Sequence, residues 1–270
     1  MAEIHLSNAE ATVETIGPAP RAAGKLWIAR MCSIVVVLGG WEILGRRVSP
    51  VFLSPPSAIF KAGVVMARSG ELWGALSTSL ETLVIGFVTA SVVGIVLGLL
   101  IGRYKTFDAA TDWLINALYA MPMVAIIPLV ILWFGLGEEA KLFIVGILTV
   151  FPVLINTAAG VRNVPQSLID VSTAFAANER QVFTKIILPS AVPYMMTGLR
   201  LGIGRAIIGM VVAEFFTAIT GLGAVIVKYG NQYDTASMFV PLLVLMLLGI
   251  LLTYGVRRLE EMFAPWKEVD

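Results

Sequence analysis

Histidine and cysteine are almost absent from this chain of 270 residues. The single histidine, His5, lies in a polar N-terminal stretch, which excludes histidine metal sites and Ser-His or Cys-His catalysis. The single cysteine, Cys32, has no partner for an internal disulfide. We therefore predict a non-catalytic protein that binds no metal and no cofactor directly.

Charged residues are also scarce. They make up 14% of the chain, against about a quarter of a typical soluble domain, while 58% of the residues are hydrophobic. The net charge of +1 provides no field that would attract nucleic acid. Because this much apolar surface has to face something other than water, we predict a protein embedded in lipid, with no nucleic-acid partner.

Long apolar runs are what the chain has in abundance. A helix needs about 20 residues to cross about 30 Å of hydrocarbon. Four uncharged runs reach that length, at 83–101, 113–136, 142–161 and 236–256. Two further spans, at about 26–45 and 190–218, carry internal charges.

The predicted fold class is therefore an all-α integral membrane protein with six transmembrane helices. We expect the spans at about 26–45, 80–102, 113–136, 141–161, 190–218 and 236–256. They form one transmembrane domain over 25–266, between a mobile N-terminal tail at 1–24 and a C-terminal tail at 267–270.

The distribution of lysine and arginine predicts the orientation. Six spans place both termini on one side, and basic residues are retained in the cytoplasm. With the termini inside, the inner segments carry eleven basic residues and the outer segments carry six, namely Arg46, Arg47, Lys61, Arg68, Lys141 and Lys228. We therefore predict that both termini are cytoplasmic.

Two segments are predicted at the outer surface. Prolines after the first span precede a short helical pattern from Ser57 to Met66, which is too short to cross and is expected to lie along the interface. Residues 219–235 are rich in glycine, and we expect a turn followed by a short dip at the outer surface.

Small residues recur every fourth position along the second span. They are Gly86, Ala90, Gly94, Gly98 and Gly102. Close backbone approach drives helix association in lipid, so this face packs against another helix. The partner is either a helix of the same subunit or a second copy of the chain.

Two prolines, Pro122 and Pro128, fall inside the third span. Each removes a backbone donor, which predicts a kinked helix. A kink beside a transport cavity and a bend with no functional consequence are both open.

A polar, amphipathic segment at 165–188 separates the fourth and fifth spans. Pro165 suits a first helical position, so one helix is predicted from Gln166 to Phe175. Ala176 and Ala177 form a corner. Asn178 and Gln181 then match a capping box, and the second helix is expected to end near Leu188, before Pro189.

This segment resembles the conserved cytoplasmic loop of ABC importer permeases. That loop reads Glu-Ala-Ala, three residues, Gly, nine residues, Ile-x-Leu-Pro, and its last part matches Ile186, Leu188 and Pro189. The family's glycine falls on Ala176, and its Glu-Ala-Ala falls on Asp170, Val171 and Ser172. Glycine at such a corner usually has a positive φ, so alanine implies either a slightly different corner or a less typical docking.

The resemblance extends over roughly 50–266 and is closest to permeases of the nitrate/sulfonate/taurine type. The similar blocks are FLSPPSAIF, IPLVILWFGLG, LPSAVPYMMTGLRLGIGRA, VVAEFFTAITGLGAVI and PW. It implies a type I ABC importer permease fold with a cytoplasmic coupling helix between spans 4 and 5, in a bacterial cytoplasmic (inner) membrane. The implied ATPase-coupling residues are Asp170, Ala174, Phe175, Ala176, Ala177, Asn178, Arg180, Phe183, Leu188 and Pro189.

The implied partners are a cytoplasmic ABC ATPase dimer, a second permease copy in a homodimer and an extracytoplasmic substrate-binding protein. No G-x-x-x-x-G-K-[ST] phosphate loop occurs in the chain, so ATP and Mg²⁺ are expected in the ATPase partner alone. An ion-gradient-driven secondary transporter is the alternative, although the charge-free spans lack the acidic residues that such proton relays use.

The candidate pathway residues are Met121, Arg205 and Glu214. A charge near mid-membrane costs about 2.5–3.5 kcal/mol on insertion scales, so Arg205 and Glu214 require a reason. Either each is satisfied by a neighbouring helix, or Arg205 lines the path and attracts an anion. The substrate is left open among nitrate, taurine, alkanesulfonates, bicarbonate, aromatic acids and vitamin precursors.

Overall fold

A computed structural model describes residues 20–217 and 219–263. All regular elements in this part of the chain are helices. The long ones are α1 (Pro20–Arg47), α3 (Glu71–Arg103), α6 (Glu138–Arg162), α9 (Leu188–Thr217) and α11 (Thr235–Phe263). The shorter ones are α2 (Pro56–Ser69), α4 (Lys105–Ala120), α5 (Ile127–Phe134), α7 (Gln166–Ala174), α8 (Glu179–Val182) and α10 (Leu222–Asn231).

The number of membrane spans agrees with the predicted six. Four helices are long and apolar enough to cross without a break, namely Trp27–Arg47, Glu71–Arg103, Glu138–Arg162 and Thr235–Met262. Two bent helix pairs raise the number to six if each pair is one span. The predicted all-α membrane fold is confirmed, whereas the predicted tails fall largely outside the described residues, and residues 20–24 already belong to α1.

The α6 helix lies at the centre, between α3 and α9. A Cβ atom at Gly86 would lie 2.6 Å from the Val145 side chain, and one at Gly98 would lie 2.6 Å from Thr157. On the opposite side of α6, a Cβ at Gly160 would lie 2.7 Å from Tyr194 of α9. The small residues of α3 therefore serve packing within one subunit, which is the first of the two interpretations.

The third predicted span is not one kinked helix. The chain forms α4, a 3₁₀ turn at Met123–Ile126 and then α5, and the two α-helical parts are bent by 86°. Pro122 precedes the turn, and Pro128 lies in the first turn of α5, where its missing N–H costs nothing. Two prolines six residues apart thus break the span where a bend was expected.

The fifth predicted span begins earlier than expected. The prediction that a helix ends near Leu188 is wrong, since helical structure continues from Glu179 to Thr217. A π-helical turn at Phe183–Ile187 joins α8 to α9. Pro189 follows this turn, so its lost hydrogen bond is accommodated by a wider turn instead of a helix end.

The helix predicted at Ser57–Met66 is confirmed as part of α2, whereas residues 219–235, where a turn and a short dip were expected, form a turn followed by the helix α10. α2 begins at Pro56 after an extended Pro55, and the Glu42 carboxylate of α1 accepts hydrogen bonds from the Ser57 N–H at 3.0 Å and hydroxyl at 2.7 Å. α10 follows Gly221, whose φ of +97° turns the chain after α9. Both short helices pack against α11 in the main apolar core.

Candidate functional site

The first candidate element is α7, the predicted coupling helix. Pro165 is its N-cap, one position before the predicted start, and Phe175 is its C-cap, so the helix ends at Ala174. Asp170 accepts a hydrogen bond from the Gln166 amide at 3.0 Å, one turn earlier in the helix. Both side chains are exposed, so this face of α7 is polar and accessible.

The corner after α7 keeps the backbone conformation expected of glycine. Ala176 has a φ of +51°, in the left-handed region. Its N–H donates to the Thr173 carbonyl at 2.9 Å, and the Ala177 N–H donates to the Ser172 carbonyl at 2.9 Å. This pair of bonds forms a Schellman motif, which here satisfies the end of α7 without glycine. Ala176 therefore adopts the positive φ expected of glycine, at a cost of about 1–2 kcal/mol.

The predicted capping box of α8 is confirmed. The Asn178 side chain accepts a hydrogen bond from the Gln181 N–H at 2.9 Å. The Gln181 side chain accepts one from the Asn178 N–H, also at 2.9 Å. Because both ends of the corner are closed by hydrogen bonds, residues 174–181 form a short rigid elbow.

Apolar packing anchors this segment to the spans. Ile187 and Ala191 are buried against Val161 at the C-terminal end of α6. Phe183 and Ile169 pack against the same cluster. Apolar packing on both sides of the elbow therefore connects the coupling segment to α6 and α9.

Two ion pairs lie beside this segment. Arg162, the last residue of α6, pairs with Asp108 of α4. Arg103, the last residue of α3, lies 4.0 Å from Glu179 at the start of α8. The first pair joins α6 to α4, and the second joins α3 to α8.

The ten predicted coupling residues divide by exposure. Four are half-buried, namely Ala177, Phe183, Leu188 and Pro189. Six are exposed, namely Asp170, Ala174, Phe175, Ala176, Asn178 and Arg180. The Phe175 side chain is 82% exposed, although it is a large apolar group. The corner therefore presents an uncovered aromatic ring on a rigid support.

Glu214 lies in a buried polar network. It is fully buried, and its carboxylate accepts hydrogen bonds from the Ser79 hydroxyl at 2.6 Å and the Gly223 N–H at 2.7 Å. The Ser79 hydroxyl oxygen accepts a third bond, from the Leu222 N–H at 2.8 Å. Because these two N–H groups open α10, the carboxylate lies where a helix N-terminus favours negative charge. These hydrogen bonds are the ones expected if the charge of Glu214 is satisfied by neighbouring groups.

Lys141 and Glu138 form an ion pair that the sequence reasoning missed. Lys141 is 1% exposed and donates hydrogen bonds to Glu138 at 2.7 Å and to the Thr220 hydroxyl at 2.6 Å. Glu138 also accepts one from Thr82 of α3 at 3.0 Å. The three-residue spacing of Glu138 and Lys141 at the start of an apolar run was a usable signal for this pair.

Arg205 has a different environment from Glu214. It lies near the middle of α9, it is exposed, and its side chain forms no hydrogen bond or ion pair within the described residues. Met121 caps the C-terminal end of α4 at the 86° break and is 36% exposed. The structure therefore does not bring Arg205 together with Glu214, which faces the protein interior.

The third charged residue of α9, Arg200, is an ion-pair partner. It pairs with Glu260 of α11, whose side chain is 9% exposed. This contact joins the fifth and sixth spans. Nothing in either apolar run indicates which residue Arg200 meets, since the two are 60 positions apart.

Residues 90–266 match the family model for the binding-protein-dependent transport system inner membrane component. The chain belongs to this family. It is the transmembrane permease subunit of an ABC importer, and the resemblance to permeases of the nitrate/sulfonate/taurine type is confirmed. The matched region contains the whole coupling segment and the small-residue face of α3 beyond Gly86.

Relatives align with the permease over most of its length. The taurine transport system permease of Escherichia coli K12 is 30% identical over 241 residues, covering 87% of this chain and 88% of the relative. The formylaminopyrimidine transport permease of Halalkalibacterium halodurans is 30% identical over 228 residues, covering 84% and 91%. An inward-facing methionine ABC transporter has a TM-score of 0.54 at 21% identity, covering 72% of this chain and 98% of that chain, which supports the fold.

Proposed function

We propose that the permease, paired with a second copy, imports a small anionic solute such as a sulfonate. An extracytoplasmic binding protein delivers the solute, and a cytoplasmic ABC ATPase dimer binds ATP and Mg²⁺ and supplies the energy. Both termini face the cytoplasm, so the corner at Ala176 meets the ATPase. The family name, with its reference to a binding protein, supports this arrangement.

The observation that carries the proposal is the exposed ring of Phe175 on its rigid corner. An 82% exposed phenylalanine has no role in the packing of its own subunit. Burying it in a groove of a partner gains about 1.5–3 kcal/mol. The Schellman motif and the capping box hold the ring in place, so little conformational entropy is lost on docking.

The same rigidity transmits motion. Closure of the ATPase pair on ATP displaces the elbow, and the apolar cluster of Ile187, Ala191 and Val161 passes that displacement to α6 and α9. α6 and α9 are in close backbone contact at Gly160 and Gly198, so we expect them to move together. Alternating access then follows from a lever, without any chemistry in the permease.

The anionic substrate is supported by Arg205. An exposed arginine without an ion pair in the described part of the chain attracts an anion when it lines a water-filled path. The formylaminopyrimidine relative carries a different kind of solute by its name, so charge selectivity requires its own measurement.

The experiment is a co-purification from native membranes. Tagged wild-type permease is expected to retain an ATPase with a G-x-x-x-x-G-K-[ST] loop, and Phe175→Asp is expected to lose it. Phe60→Asp is the matched control, since Phe60 is 73% exposed but lies on α2, at the predicted outer surface. Retention of the ATPase by Phe175→Asp, or its loss from both variants, contradicts the docking.

A further inference from the structure

A groove opens between the inner end of α3 and the start of α8. Its volume is about 380 Å³. The wall is apolar and is formed by Val96, Leu99, Leu100 and Phe183. The rim carries Arg103, Arg180, Tyr104 and Glu179, so two positive charges and one negative charge surround the opening. An apolar wall below two guanidinium groups complements a phospholipid, which has apolar acyl chains and a charged headgroup.

The position of the groove along α3 matches the boundary of the bilayer. Arg103 is the last residue of this apolar helix, so the rim lies at the level of the lipid headgroups. Val96 lies two turns earlier, which places the wall about 10 Å deep in the hydrocarbon. Val96 is 50% exposed and Leu100 is 39% exposed, so the wall is open to the bilayer.

The charges at the rim are poorly compensated. The Arg103 guanidinium lies 4.0 Å from a Glu179 carboxylate that is 91% exposed, a distance and hydration that make a weak pair. The Arg180 side chain has no ion pair within the described residues. A neighbouring cavity of about 390 Å³ shares Arg103 and adds Lys105 to the basic surface.

We propose that this groove binds one anionic phospholipid of the cytoplasmic leaflet. The phosphate lies between Arg103 and Arg180, and one acyl chain follows the wall toward Val96. Basic pockets at the cytoplasmic ends of membrane helices favour anionic headgroups, and the inner leaflet supplies them. A free anion would leave the apolar wall uncovered, whereas an acyl chain covers it. We therefore assign the groove to a lipid.

The bound lipid joins two functional elements. Arg103 ends α3, and Arg180 lies in the capping-box turn of the coupling segment. A headgroup held by both replaces the weak contact between Arg103 and Glu179 with two charge-assisted contacts. Anionic lipid is then expected to tighten the elbow against the spans.

The test measures lipid binding to the delipidated full-length permease by native mass spectrometry. Dioleoyl phosphatidylglycerol is expected to bind wild type more tightly than dioleoyl phosphatidylcholine. Each basic residue near an anionic surface contributes about fivefold in affinity, so Arg103→Gln with Arg180→Gln is expected to lose about twenty-five-fold. Equal binding of the two lipids to wild type overturns the proposal.

The control is the double variant Arg257→Gln with Arg258→Gln. It removes the same charge near the cytoplasmic end of α11, away from the groove, and is expected to leave binding unchanged. An equal loss in this control indicates a non-specific annulus of lipid and overturns the site. The conservative Arg103→Lys with Arg180→Lys is expected to retain most of the preference, which separates charge loss from misfolding.

A second pair of variants tests the acyl chain. Leu100→Trp fills the groove and is expected to reduce binding of phosphatidylglycerol. Leu97→Trp is its control, because Leu97 is 41% exposed on the same helix but does not line the groove. If inorganic phosphate competes equally well against wild type and Leu100→Trp, the site takes a free anion and the lipid proposal fails.

A labelled cysteine decides whether protein covers the groove instead. Leu100→Cys in a Cys32→Ser background carries a fluorophore, and brominated phosphatidylglycerol is expected to quench it. Absence of quenching in the labelled protein, together with an oxidative disulfide between copies of the unlabelled Leu100→Cys variant, places a second permease in the groove and overturns the proposal. Since lipid binding is measured without the ATPase, failure here leaves the docking of Phe175 untouched.

Discussion

At the scale of single residues, the corner at Ala176 stores strain that glycine would relieve. Alanine at a φ of +51° costs about 1–2 kcal/mol, part of which is offset because glycine has more freedom in the unfolded chain. Ala176→Gly is therefore expected to stabilise the elbow by up to about 1 kcal/mol. Hydrogen exchange of the Ala176 and Ala177 amides, which are bonded across the corner, is expected to slow by up to about fivefold.

The neighbouring alanine provides the control. Ala177 lies outside the left-handed region, so Ala177→Gly gains nothing in the folded state and is expected to destabilise the elbow by about 0.5–1 kcal/mol. Ala176→Val is expected to be the most destabilising of the three, since a β-branched side chain tolerates positive φ worst. Faster exchange in Ala176→Gly than in wild type would contradict the strain.

Arg205 and Arg200 lie on the same helix, but substitutions at the two positions are expected to affect different properties. Arg205→Gln removes an exposed charge and is expected to slow uptake of an alkanesulfonate by about tenfold or more, with assembly intact. Arg200→Gln leaves the nearly buried Glu260 without its cation and is expected to reduce folded yield. Uptake into proteoliposomes and gel filtration measure the two effects. Normal anion uptake by the Arg205→Gln variant would show that Arg205 does not line the pathway.

At the scale of helices, packing of α3 on α6 depends on the absence of side chains. A Cβ at Gly98 would lie 2.6 Å from Thr157 and 2.7 Å from the Leu154 carbonyl, and the added methyl groups of valine require α3 to move away. Gly98→Val is expected to cost at least about 1–3 kcal/mol. Gly204→Val on α9 is the control, because nothing lies within 4 Å of its Cβ. Thermal unfolding in nanodiscs compares the two, and equal melting temperatures would refute the close approach.

The junction between α9 and α10 depends on a buried hydroxyl. Ser79→Ala removes the donor to Glu214 and the acceptor for the Leu222 N–H, which is expected to cost about 1–3 kcal/mol per unsatisfied group. Ser77→Ala is the control, since the Ser77 hydroxyl donates to the Gly74 carbonyl of its own helix. Hydrogen exchange of α10 is expected to accelerate in the first variant alone. Unchanged exchange in both would show that the network does not hold α10.

The sequence predicts the helices well where a short local pattern determines where a helix begins, ends or packs. The capping box at Asn178, the turn at Gly221 and the small-residue face of α3 are all local patterns. A kink is the expected result of a single proline inside a helix. Here Pro122 and Pro128 together break the span and bend it by 86°. The early start of α9 was missed because a π-helical turn has no sequence signature.

Contacts between distant residues could not be predicted. Glu214 meets Ser79 across 135 positions, and Lys141 meets Thr220 across 79. A single sequence shows that a buried charge needs a partner, but any hydroxyl on three neighbouring helices would serve. The coupling segment was easier, since its hydrogen bonds join residues at most five positions apart.

At the scale of the whole molecule, the basic residues predict which ends of the helices face the cytoplasm. Lys61 on α2 is expected outside, whereas Arg180 on the elbow is expected inside, because translocating the more basic loops is disfavoured. Single cysteines replace each residue in a Cys32→Ser background, and both positions are exposed. An impermeant maleimide applied to intact cells is expected to label Lys61→Cys, and to label Arg180→Cys only after permeabilisation. The Cys32→Ser parent controls for other reactive groups. Labelling of Arg180→Cys in intact cells would reverse the orientation, and a cytoplasmic ATPase could then not reach the elbow at Phe175.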